Sequence, residues 1–136
     1  MHFLYFRVTG EHLIPSEVSK MLNMVPDFSF KKDDVRYIKN EIIVYSEGCW
    51  QRKFEIPDDH DIDTMTYNFI CELLPYAEII ITLTKKYSVT LWITFYPEIY
   101  QFNFRFSQKT ITALCSLGID MDVLIMCLHG LYENIV

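Results

Sequence analysis

Between Leu4 and Val25 the spacing of apolar residues changes from two to three and four, and the same change recurs down the chain. Leu4, Phe6 and Val8 alternate with Tyr5, Arg7 and Thr9, the pattern of a strand with one apolar face. Val18, Met21, Leu22 and Val25 then follow at i, i+3, i+4 and i+7, the stripe of an amphipathic helix. Pro15 suits its first turn, Glu17 complements its dipole, and Pro26 ends it. Gly10 lies at the switch between the two periods. It could let an anion approach a helix N-terminus, or it could only turn a corner. A lone glycine crowded by Leu13, Ile14 and Pro15 fits the corner better.

Further along, "PDFSFKKDD" reads as a polar connection, and "EIIVYSEGCWQRKFEI" as a hairpin turning at Glu47-Gly48. Its second strand puts Trp50, Phe54 and Ile56 on one face and Gln51, Lys53 and Glu55 on the other. Asp61 or Asp63 then caps a helix carrying Met65, Phe69 and Leu73. Pro75 breaks that helix, and "PYAEIIITLTKKY" reads as a second helical piece, with a strand over the β-branched Ile79-Ile81 as the alternative. "VTLWITFYPEIYQFNFRF" reads as another hairpin around Pro97-Glu98, its second strand running from Tyr100 to Phe106. Ser107 caps a helix with Ile111, Leu114 and Cys115 inward, and Gly118 stops it. "MDVLIMCL", apolar on both faces, reads as a central or doubly covered strand.

Strands that return between helices without strict alternation predict an α+β fold, a mainly antiparallel sheet with helices packed on one face. "FRVTGEHLIPSEVSKMLNM" and "FRFSQKTITALCSLGI" echo one another and suggest two ferredoxin-like halves. The length, 136 residues, predicts a single domain spanning 1–136 that needs no staples. No stretch is long and apolar enough to span a bilayer, and "MHFLYFRVTG" lacks the features of a signal peptide, so a cytoplasmic location is expected. The separated Cys49, Cys71, Cys115 and Cys127 read as reduced core thiols, and the scattered His2, His12, His60 and His129 form no zinc signature.

The net charge of −6 argues against nucleic acid as a ligand. Its distribution is more telling. Glu55, Asp58, Asp59, Asp61, Asp63, Glu72 and Glu78 follow one another with no intervening Lys or Arg, which predicts an acidic end. Asp59, Asp61 and Asp63 have the alternation of a calcium loop, but Thr64 and Ile70 occupy the places of its glycine and bidentate glutamate, so no metal or cofactor is expected. Trp50, Trp92, Tyr45, Tyr96 and Tyr100 could line an aromatic groove, although at strand spacing they read first as cross-strand packing. The basic "FKKDD" with Arg36 and Lys39 reads as a solvated loop.

Together, "FRVTGEHLIPSEVSKMLNM", "FSFKKDD", "EGCW" and "FRFSQKTITALCSLGIDMDVLI" resemble the bacterial domain-of-unknown-function family 4279. Gly10, Glu11, Leu13, Pro15, Lys32, Asp34, Gly48, Trp50 and Gly118 match its pattern, while Asp33 stands where the family usually has glycine. The resemblance implies a small bacterial intracellular protein and carries no catalytic residues. The expectation is a protein-binding module, with Asp58, Asp59, Asp61 and Asp63 docking a basic partner as an immunity protein docks a toxin. The alternative is a small enzyme or ligand-binding domain with a pocket between sheet and helices.

Overall fold

A computed structural model of the chain describes residues 1–98 and 103–126. Its centre is the first alternating stretch. β1 (His2–Gly10) lies between β5 (Gly48–Ile56) and β6 (Ser88–Phe95), antiparallel to both. Leu4 stands between Phe54 and Ile93 and Val8 between Trp50 and Val89, while Phe6 meets Leu91 on the β6 side, so the even residues of β1 are set among apolar neighbours. Leu4, Phe6, Val8, Trp50, Ile56, Leu91 and Ile93 form one fully buried face. β2 (Phe28–Phe30) extends the sheet beyond β5, and β7 (Asp120–Ile125) runs parallel to β6 at the other edge, giving the order β2-β5-β1-β6-β7.

α1 (Pro15–Leu22), α2 (Ile62–Leu73), α3 (Ala77–Thr84) and α4 (Gln108–Leu117) cover that face. Val18, Leu22, Phe69, Ile70, Leu73, Ile80, Leu83 and Leu117 join its core, so the fold is the α+β class that the periodicity predicts. Trp50 is the anchor. Its Nε1–H donates to Ser19 Oγ at 2.9 Å, and its ring meets Phe6 edge-on at 6.0 Å. At Pro75 the chain makes a 3₁₀ turn, Leu74–Tyr76, and continues as α3, so Ile79-Ile81 are helical.

Several elements differ from the sequence reading, each for an identifiable reason. α1 stops at Leu22 because Asn23 adopts the left-handed conformation (φ 52°), which leaves Val25 off the helix and Met21 facing out. Glu47-Gly48 is not the hairpin turn. β4 (Glu41–Val44) pairs with β3 (Val35–Ile38) across Lys39-Asn40, with Lys39 at a φ of 53°, and Gly48 lies inside β5 opposite Gly10. The supposed polar connection contains β2, registered by Ser29 opposite Trp50.

Asn103–Phe106 form no strand, and residues 99–102 lie outside the described residues. Both edges of β6 are already paired, by β1 and β7, so another strand has no place beside it. Phe104 packs against Phe95 instead, ring centres 4.5 Å apart. In α4 the buried residues are Thr110, Ala113 and Leu117, while Ile111 and Cys115 face solvent. The two-part echo therefore stops at the helices. Among the described residues β7 is an edge strand, with Val123, Leu124 and Ile125 exposed, rather than a central or doubly covered one; Cys127 and Leu128 of the same stretch lie outside the described residues.

Candidate functional site

β5 ends where Pro57 removes a backbone donor, and His60 N–H closes a turn onto the Pro57 carbonyl at 3.0 Å. This turn gathers the four predicted partner-binding acids at one end of the sheet, but it uses them differently. Asp58 pairs with the Met1 amino group, and Asp59 lies 2.8 Å from His60 Nδ1. Their side chains remain 63% and 83% exposed, respectively. Asp61 caps α2, accepting from Thr64 N–H at 2.9 Å and from the Thr64 hydroxyl at 2.7 Å. Asp63 is half-buried and accepts from Ser107 N–H at 2.9 Å and the Thr110 hydroxyl at 2.7 Å, joining the starts of α2 and α4.

Hydrogen bonds from the N-terminus, His60 and Thr64 hold Asp58, Asp59 and Asp61, in that order, below the usual carboxylate range. For Asp63, burial works against the charge, yet the Ser107 and Thr110 donors and nearby Arg105 still hold its carboxyl low. The calcium-loop pattern is thus three carboxylates with three separate partners. Asp63 is also why α4 is rotated relative to its apolar stripe, since Thr110 must face inward to reach it.

Asp63→Ala should cost about 1.5–3 kcal/mol, the range for losing hydrogen bonds to a charged group. Because the folded-state carboxyl is held low, its contribution is present above the unfolded carboxylate value and is lost as pH falls through the lower folded value. Asp63→Asn should therefore flatten the loss of stability below about pH 4. Thermal melts of both variants across pH 3–7 check this, and an unchanged acid limb in Asp63→Asn would contradict it.

The sheet face turned away from the helices carries a second group of residues. Phe3, Tyr5, Arg7 and Thr9 of β1 share it with Gln51, Lys53 and Glu55 of β5 and with Thr90, Trp92 and Thr94 of β6. The described helices all send their buried residues to the other face. Arg7 Nε and Nη2 both donate to Gln51 Oε1, at 2.8 and 2.6 Å, and the guanidinium lies 4.9 Å over the Trp92 ring. Lys53 Nζ lies 4.3 Å over Phe3.

Trp50 and Trp92 therefore stand on opposite faces, and the groove suggested by the sequence does not form. Tyr45 stacks on Phe30 at 3.5 Å, Tyr96 meets Phe3 edge-on at 5.9 Å, and Tyr100 lies outside the described residues. Reading only the apolar positions missed Arg7 and Gln51. The available signal was an arginine, a glutamine and a tryptophan on the off-core positions of three strands.

The remaining features have structural explanations. A Cβ on Gly10 would sit 2.6 Å from the Tyr87 ring, so this glycine makes room for a side chain at a corner. Lys32 pairs with Glu11 at 2.7 Å, and Asp33 adopts a φ of 72°, the conformation that glycine takes without strain. A cleft of about 410 Å³ beside α1 is lined by Pro15, Ser16, Ser19, Phe30, Lys31 and Asp34. A smaller apolar one of about 260 Å³ lies between α1 and α3, among Val18, Met21, Leu83 and Tyr87. Cys49 is buried, which pushes its thiol pKa up, whereas Cys71 is half-buried and Cys115 is exposed, so only the first is a core thiol; Cys127 lies outside the described residues. Among the described residues no helix is long and apolar enough to cross a membrane.

A family model described as Domain of unknown function (DUF4279) matches residues 1–128. No curated protein and no solved structure matches the chain.

Proposed function

The chain belongs to the DUF4279 family, and on that premise we propose that it is a protein-binding module of the bacterial cytoplasm. In its sharpest form it is an immunity-type protein whose acidic end covers a basic toxin. The observation that carries this reading is the outward-facing pair Asp58 and Asp59, two of seven successive acids with no Lys or Arg among them. Such a surface steers a cationic protein during encounter, an effect that weakens as salt rises. The space between sheet and helices is filled by Trp50, Phe6, Leu22, Ile80 and Leu91, which favours a surface over an interior pocket. The trace β1-α1-β2-β5-α2-β6, with the strands ordered β2-β5-β1-β6, also supports a ferredoxin-like reading.

The structure sharpens the test of this reading. Asp61 and Asp63 hold helix starts, so reversing them would disturb the fold; Asp58→Lys with Asp59→Lys breaks only the exposed pairs with the Met1 amino group and His60. Capture of partners from the native host by the tagged double variant should fall at least about tenfold, with an unchanged melting curve, because exposed charges contribute little to stability. Equal capture by wild type and variant would refute the acidic end as the docking surface.

A further inference from the structure

Among the described residues Arg7 is a charge without a counter-charge. It is half-buried, and among the described residues no carboxylate lies within ion-pair distance of it, although the chain holds 18 acids. Buried charges are ordinarily paired, because leaving one unpaired is costly. Across the strands its neighbours are the neutral Gln51 and Thr90. Gln51 takes two of its N–H groups and Trp92 supports its plane, so the guanidinium is oriented but not neutralised. Its other donors are available in a fixed fork, the geometry that suits a carboxylate. A partner therefore meets a group whose ordering cost has already been met by the fold.

The surroundings narrow the ligand. The cations on this face are isolated, Arg7 on β1 and Lys53 on β5, and do not form the row of closely spaced charges that a phosphodiester strand needs, so single carboxylates fit better than a polyanion. Phe3, Tyr5, Trp92 and Tyr96 provide partly covered aromatic surface around it. The described helices all pack on the other face, so none of them encloses a small molecule here, whereas a sheet face accepts an extended chain. We infer that Arg7, held by Gln51 and Trp92, docks a Glu or Asp carboxylate on an extended, aromatic-rich acidic segment of a partner protein. This surface is separate from the acidic end and does not depend on its role.

The test uses the full chain, labelled with ¹⁵N and titrated with acetyl-Phe-Glu-Phe-Glu-Tyr-amide. Saturable shifts should appear at Arg7, Gln51 and Trp92, and the matching Gln-for-Glu peptide should bind at least about tenfold more weakly. Arg7→Lys keeps the charge but loses the fork, and should weaken binding severalfold. Thr90→Glu places a carboxylate opposite Arg7 on β6. It should abolish peptide binding and raise the melting midpoint by a few degrees, since the unpaired charge gains a partner. The inference is overturned by the absence of saturable shifts, by equal affinity for the Gln peptide, or by a Thr90→Glu protein that melts lower and still binds. Tighter binding of octathymidylate would assign the face to nucleic acid, and equal binding of 3-phenylpropionate to a free acid; either overturns the peptide segment as occupant.

Discussion

Trp50→Ala should destabilise the protein by about 3–5 kcal/mol, the range for removing a buried large aromatic. Trp50 has no exposed surface, and three separate elements lean on it. Phe6 packs edge-on from β1, Ser19 accepts its indole N–H from α1, and Ser29 of β2 lies opposite it in the ladder. Truncation leaves a cavity at the junction of sheet and helix and also leaves the Ser19 hydroxyl without its donor. Trp50→Phe separates the two contributions, because it keeps most of the apolar volume and loses the hydrogen bond. It should fall well short of the alanine loss. Urea unfolding of the two variants measures the difference, and an alanine variant with a wild-type midpoint would contradict the burial of Trp50.

Gly48→Ala should be the costlier of two glycine substitutions made at the same corner. A Cβ there would lie 2.6 Å from the Leu13 carbonyl oxygen and 3.1 Å from the Leu13 Cβ, both held by the chain leaving β1. Backbone cannot swing aside as a side chain can. Overpacking of this kind costs about 1–3 kcal/mol, and Gly48 should lie at the upper end of that range. The added Cβ of Gly10→Ala meets only the ring of Tyr87, which is half-buried and free to tilt, so the loss should be smaller. Denaturation midpoints of the two variants give the ordering directly. If Gly10→Ala is the more damaging, then Tyr87 is less free to move than its exposure implies.

The division of the chain into strands and helices was legible because each buried face imposes its own period. Leu4-Phe6-Val8 and Trp50-Phe54-Ile56 show their inward side without any knowledge of their partners. Pairing was less legible. Ile42 and Val44 alternate in a way that suits either neighbour, and the strand that β4 joins, β3, turns on a lysine at positive φ. The Phe102-Phe104-Phe106 alternation looks like a strand, but whether β6 has a free edge is a property of the whole sheet. The orientation of α4 was hidden for a similar reason, since a carboxylate far back in the sequence, Asp63, overrides its apolar stripe. At the candidate sites, the acidic end could be read from composition. Arg7 and Gln51 could not be brought together without the register of β1 against β5.

The position of β1 has a consequence for the order in which the sheet can close. β1 precedes both of its neighbours along the chain, and Thr9 meets Cys49 on one side and Ser88 on the other. At a synthesis rate of roughly 5–20 residues per second, β6 emerges on the order of ten seconds after β1. Until then Leu4, Phe6 and Val8 belong to a strand with one edge unfilled, and such edges recruit other chains. Contacts this distant in sequence also slow the final closure, because a long loop must be ordered before they form. The nascent chain therefore holds its central strand in waiting, and a ribosome that stalls between β5 and β6 would release a half-built sheet with that strand's second edge open.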